Sequence, residues 1–266
     1  MNADKTRRMA LVMALLLSAA VLAAHRQTFF RPFDDTQQES IASFHAYGLA
    51  AANGAGLWPN PFVARQIDLG HSRIKPYPHW PNGFFLFFEG VLRIFGRTET
   101  VGRSVAVLGS LLAFTLIAAS LNSSSVLVYG AVPLALLSAA GRDSAPFVFA
   151  DVALYVFVGG LLWISARPGE SKPGNWVFRA AMIAGLFFNH LLAPYAAVIV
   201  LLRWFEKRSA RNLAIDAGAL AAGSAAVLAA LAAGAGDLRA GAAELASAFQ
   251  LRSSYPLESW YRILTQ

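Results

Sequence analysis

The chain has 266 residues, 56% hydrophobic and only 14% charged, with a mean hydropathy of +0.49. A soluble domain carries about 25% charged residues, whereas no Asp, Glu, Lys or Arg occurs here between Ser104 and Gly141. Polar surface cannot cover such a run, which excludes a soluble globular fold and predicts an all-α polytopic membrane protein of about seven transmembrane helices.

The net charge of +7 would suit a nucleic-acid partner in a soluble protein. Here the Lys and Arg residues fall in short stretches between apolar segments, the pattern that sets topology in a bilayer, so no nucleic-acid partner is expected. The absence of Cys removes disulfides, thiolate chemistry and Cys-based metal sites.

In chain order, Met9 to Ala24 is apolar and follows Lys5, Arg7 and Arg8. It reads as a signal anchor with its N-terminus cytoplasmic, in preference to a cleavable signal peptide ending near Ala23. Residues 25–103 form the longest polar stretch and are expected as an outer loop with interfacial helices. This stretch holds Asp34-Asp35, an amphipathic helical segment from Thr36 to Asn53, and a Pro-, Gly- and Trp-rich loop from Gly54 to Pro81. Loops of that length are usually functional.

Gly83 to Gly96 would reach only about 21 Å as a helix, short of a hydrocarbon core of about 30 Å. It is therefore expected to lie on the outer leaflet, with Glu89 and Arg93 paired at i,i+4. Spans follow at Val101–Leu121, Ser125–Ala140 and Val152–Ala166. Val177–Leu202 is broken near Asn189-His190 and Pro194, and the basic cluster Arg203, Lys207, Arg208 and Arg211 favours two helices over one. Ala214–Ala233 closes a bundle over 104–234, and 235–266 forms an outer-face C-terminal segment of the same single membrane unit, 1–266. This topology gathers Asp34, Asp35, Asp143 and Asp151 at one face.

The order of these features resembles the GT-C superfamily of membrane glycosyltransferases. The resembling branch holds polyprenyl-phosphate-sugar transferases of the protein O-mannosyltransferase and lipid A aminoarabinose transferase kind. An acidic pair opens a juxtamembrane helix, here Phe33-Asp34-Asp35-Thr36-Gln37-Gln38-Glu39. A Pro-rich stretch then enters an aromatic helix ending in Phe-Gly, here Lys75-Pro76-Tyr77-Pro78-His79-Trp80-Pro81 through Phe95-Gly96. Arg103 matches an Arg entering the next span, and Asp151 matches an outer-loop Asp opening the fourth. The likeness covers roughly residues 8–205 in order and spacing. Tyr77 interrupts the family's Pro-Pro, and His190 stands where a Lys is often found. Family members also continue through further spans. Against that pattern the chain reads as truncated, as a minimal module, or as one half of a split enzyme that a partner subunit completes.

The resemblance implies sugar transfer from a polyprenyl-phosphate donor to an acceptor at the outer face of a bacterial inner membrane. Phosphate departs as a stable anion, so the reaction needs a carboxylate to deprotonate the acceptor hydroxyl and cations to receive the charge on the phosphate. Asp34, Asp35 and Asp151 are the catalytic candidates, each with helix capping as the alternative. An ionisable residue at the mouth of an apolar span is a site hypothesis in its own right. Arg65, Arg73, Lys75, Arg142, His79 and His190 are the candidates for binding substrate, and Tyr255 and Glu258 are weaker ones. No cofactor is required. The paired aspartates could hold a divalent cation, but nothing demands one. The other function class is a non-catalytic GT-C-derived accessory subunit that binds lipid or packs against partner helices. It could lose Asp34 and Asp151 without consequence, whereas a transferase could not.

Overall fold

The computed structural model describes residues 3–30, 47, 63–68, 73–121, 126–138, 151–166, 172–234, 239 and 243. The described residues are helical apart from one two-stranded hairpin. The N-terminal helices are α1 (Ala3–Ala24) and α2 (Arg26–Phe29). The hairpin strands β1 (Val63–Asp68) and β2 (Arg73–Pro81) lead into α3 (Gly83–Phe95). The remaining helices are α4 (Glu99–Ser120), α5 (Val126–Leu137), α6 (Asp151–Ser165), α7 (Lys172–Phe188), α8 (Leu192–Lys207) and α9 (Ala210–Gly234).

The hairpin corrects the reading of residues 63–68 and 73–81 as loop, while the architecture is otherwise all-helical as expected. Arg73, Ile74 and Lys75 pair with Asp68, Ile67 and Gln66, so each β-branched residue has a cross-strand apolar partner. Pro76 and Pro78 lack ladder donors, which a two-stranded ribbon tolerates because both strands are edges. Such a ribbon is marginal alone, and this one packs against α9 and α7.

Two helices, α4 with 22 residues and α9 with 25, are long and apolar enough to cross a bilayer. The apolar stretches Arg8–Ala24, Val128–Leu137, Val152–Ser165 and Asn175–Phe188 are shorter, so the described helices do not supply seven full-length spans. The break near Asn189 divides α7 from α8 as expected. Asn189 Oδ1 accepts the Leu191 N–H at 2.9 Å, a local bond that competes with helix continuation. Gly96 ends α3 at φ 94°, a left-handed value that a side chain would resist. The Thr98 hydroxyl then accepts the Val101 N–H at 3.3 Å and starts α4.

Close contacts fix the helix directions. Gly109 faces Val152, and Gly159 faces Ala113, Leu116 and Ile117, so α4 and α6 run the same way. Ala10 and Ala14 cluster with Ala118 and Tyr129, whereas Phe29 clusters with Val107 and Leu136, so α1 runs with α5 and against α4. Asn175 meets Arg203 while Gly185 meets Leu192, making α7 and α8 antiparallel. Arg179 meets Asp216 while Leu186 meets Gly223, so α9 runs with α7. Val152 and Ala153 pack beneath the Phe84–Phe85–Phe88 face of α3, and Gly83 lies against Phe187 and Phe188.

The helix ends therefore sort into two groups. One end holds α3, the starts of α4 and α6, and the α7–α8 corner. The other holds the start of α1, the ends of α6 and α8, and the starts of α7 and α9, with Arg8, Arg179, Arg203, Arg208 and Arg211. Met9, Leu16, Leu108, Leu134, Val198 and Leu228 point outward from the bundle. A Gly109→Leu variant should lose about 1–3 kcal/mol by overpacking the α4–α6 seam. Gly160→Leu, with open space around its position, should lose far less in the same thermal-unfolding measurement.

Candidate functional site

A groove of about 690 Å³ lies between α3, α4 and α6. Phe84, Phe87, Val91 and Phe95 form one wall, because their spacing of three and four residues puts them on one face of α3. Val101 to Leu112 of α4 and Val152 to Phe157 of α6 supply the others. Ser104 is the single polar residue of the lining, and its hydroxyl donates to the Thr100 carbonyl at 2.7 Å. The groove therefore offers apolar contact and no free hydrogen-bonding group, which suits a hydrocarbon chain and no polar ligand.

Asp151 is the first residue of α6 and immediately precedes the groove-lining Val152. Arg103 on α4 has no solvent exposure. It lies one turn from Ala106, which packs with Val152 and Ala153, and from Val107, which packs with Phe29 and Leu136. Phe29 of α2 and Leu136 of α5 pack together there on Val107. Asp34 follows Phe30 by four residues, a reach of at most about 14 Å. The stretch carrying Arg142 and Asp143 leaves from the end of α5, and Asp151 begins α6. The signal for Arg103 was legible in the sequence as a guanidinium just inside an apolar run.

Asp34, Asp35, Arg142, Asp143, Tyr255 and Glu258 lie outside the described residues. Within the predicted Thr36–Asn53 helix, Tyr47 is described and fully buried. Its ring stacks on Phe85 at 5.0 Å and 4°, and its hydroxyl donates to Asn82 Oδ1 at 2.7 Å. Tyr47 is thus held where the hairpin enters α3.

Of the basic candidates, Arg73 and Lys75 pair in register with Asp68 and Gln66, and Arg65 with Pro76. His79 falls in the irregular stretch between the Ala64–Tyr77 and Val63–Pro81 pairs. At about 3.3 Å per residue, Arg73 stands up to roughly 26 Å along β2 from Pro81. His190 is half-buried at the α7–α8 corner, between Phe188 and Leu191, both of which pack on the α3 cluster. Glu89 and Arg93 pair at 2.6 Å as their spacing predicts, with Glu89 buried. Among the described residues, no group of three or more His, Asp and Glu side chains could hold a metal ion.

No protein-family model matches the chain, and neither curated proteins nor solved structures give a match.

Proposed function

We propose that this chain is a bilayer-embedded transferase that seats the hydrocarbon of a polyprenyl-phosphate sugar in the α3–α4–α6 groove. The observation that carries the reading is the groove running past the start of α6, lined by apolar residues save Ser104, with the buried Arg103 next to Ser104 in the sequence of α4. The outward-facing Leu, Val and Met residues suit contact with lipid. The arginine-rich end of the bundle would face the cytoplasm of a bacterial inner membrane, with the N-terminus on that side. The groove end would then lie at the outer leaflet.

In this reading Asp34 or Asp35 removes the proton of the acceptor hydroxyl. The acceptor oxygen bonds to the anomeric carbon as the carbon–oxygen bond to phosphate breaks. The lipid phosphate leaves with the electron pair, and Arg103, Lys75 or Arg142 receives its charge. Asp151 orients that cation or the sugar.

A photoreactive polyprenyl phosphate should label groove peptides of α3, α4 and α6, and Ser104→Trp, which fills the groove, should suppress the labelling. Labelling confined to other helices would sink the proposal. The Cys-free chain also permits thiol mapping: a membrane-impermeant reagent on intact cells should label Asp35→Cys and Asp143→Cys but not Lys172→Cys. Labelling at 35 and 172 but not 143 would put the acidic groups on opposite faces and remove the transferase reading.

The second reading is an accessory subunit that binds lipid without chemistry. It is favoured by the groove lining, whose one hydroxyl is already bonded to backbone. It predicts the same labelling with no sugar transfer.

A further inference from the structure

At the end of the bundle opposite the groove, α7, α8 and α9 meet around a buried charge cluster. Arg179 Nε donates to Asp216 Oδ1 at 2.6 Å, and Arg203 Nε stands 3.6 Å from Asp216 Oδ2. Arg203 also donates to Asn175 Oδ1 at 2.7 Å and lies over the Phe178 ring at 4.0 Å. One carboxylate thus joins the guanidiniums of α7 and α8 at this end of the bundle.

Directly outside it, the α8–α9 turn presents Arg208 and Arg211, both exposed and without a carboxylate partner among the described residues. Arg208 adopts φ 53° and carries its guanidinium over the Phe205 ring at 5.6 Å. Exposed Phe205 and Trp176 flank the turn, with Trp204 packed beside Phe205 at 4.8 Å. The one exposed acid of this corner among the described residues is Glu206. Exposed cations bordered by apolar rings match the two parts of an anionic phospholipid, its phosphate and the upper acyl chain.

We infer that the α8–α9 corner is a binding site for an anionic phospholipid headgroup. The inference rests on the bundle lying in a bilayer and not on the transferase reading. Charge complementarity selects the occupant, because a neutral headgroup would leave Arg208 and Arg211 uncompensated at the interface.

The test uses the full chain reconstituted in vesicles of mixed phosphatidylglycerol and phosphatidylcholine, extracted in mild detergent, with retained lipid read by native mass spectrometry. The wild type should retain phosphatidylglycerol selectively. Arg208→Gln with Arg211→Gln should lose selectivity by about thirty-fold, at roughly a factor of five per arginine. Arg208→Lys with Arg211→Lys should keep most of it, and the helical circular dichroism of all variants should match. Equal retention of both lipids by the wild type overturns the inference. An equal loss in Arg8→Gln also overturns it, by attributing selectivity to diffuse charge. Displacement of the lipid by inorganic phosphate overturns it in favour of a soluble anion. A chain that fails to float with vesicles overturns the membrane reading as well, and that outcome is distinguishable from flotation without lipid selectivity.

Discussion

Asp216→Ala should lower stability by about 3–5 kcal/mol, the cost of breaking a buried ion pair from one side. Asp216 is 2% exposed and is the shared anion of Arg179 on α7 and Arg203 on α8. Removing it takes the shared carboxylate from both guanidiniums, and relaxation must come from the helices moving apart or from water entering. Asp216→Asn should fall between, since its amide oxygen can still accept from Arg179 but carries no charge. The combined variant Arg179→Met, Arg203→Met, Asp216→Leu should recover most of the loss, because apolar replacement of a buried charged cluster is often neutral or stabilising. Thermal unfolding of the detergent-solubilised chain checks the series. A loss below about 1 kcal/mol for Asp216→Ala would mean that the cluster is solvated and that the helices are held by apolar packing alone.

Asp34→Asn and Asp35→Asn should separate by at least a hundredfold in the rate of sugar transfer. General-base catalysis contributes about 10²–10⁴-fold, whereas loss of a helix cap costs about 0.5–2 kcal/mol of stability and leaves the chemistry in place. Adjacent residues on a helix point about 100° apart, so the two aspartates cannot both face the acceptor. The base should lose kcat with KM nearly unchanged, the signature of an interaction made in the transition state. Arg103→Gln should depress kcat for a different reason, by removing a cation that the proposed reading assigns to the departing phosphate. The assay is transfer from a polyprenyl-phosphate sugar by reconstituted protein. If both aspartate variants stay within tenfold of wild type, no base resides there and the accessory reading leads.

Local signals were legible in the sequence where one short stretch carried them. Asn189 broke an apolar run that was too long for one helix, and the aromatic stretch from Gly83 was too short to cross a bilayer. Gly96 marked its end. Two features escaped local reading. The hairpin was hidden by Pro76 and Pro78, which argue against a strand unless both strands are edges. The Arg179–Asp216 bond joins residues 37 apart, and no pattern within either helix announces the other. The strand register that pairs Arg65 with Pro76, Lys75 with Gln66 and Arg73 with Asp68 was likewise out of reach of a local reading.

Tyr47 fixes the chain at a point about midway between Phe30 and Val63. Pinning a loop near its middle turns one long excursion into two short ones, and halving a span reduces its closure cost by about 0.6 kcal/mol. The larger effect is on search volume. Asp34 and Asp35 lie in sequence between Phe30 and the Tyr47–Phe85 stack, so covalent reach bounds how far either can stray from those two anchors. In the proposed transferase Phe85 and Asn82 would then influence how often a carboxylate meets a lipid-borne sugar, although neither needs to touch a reacting atom.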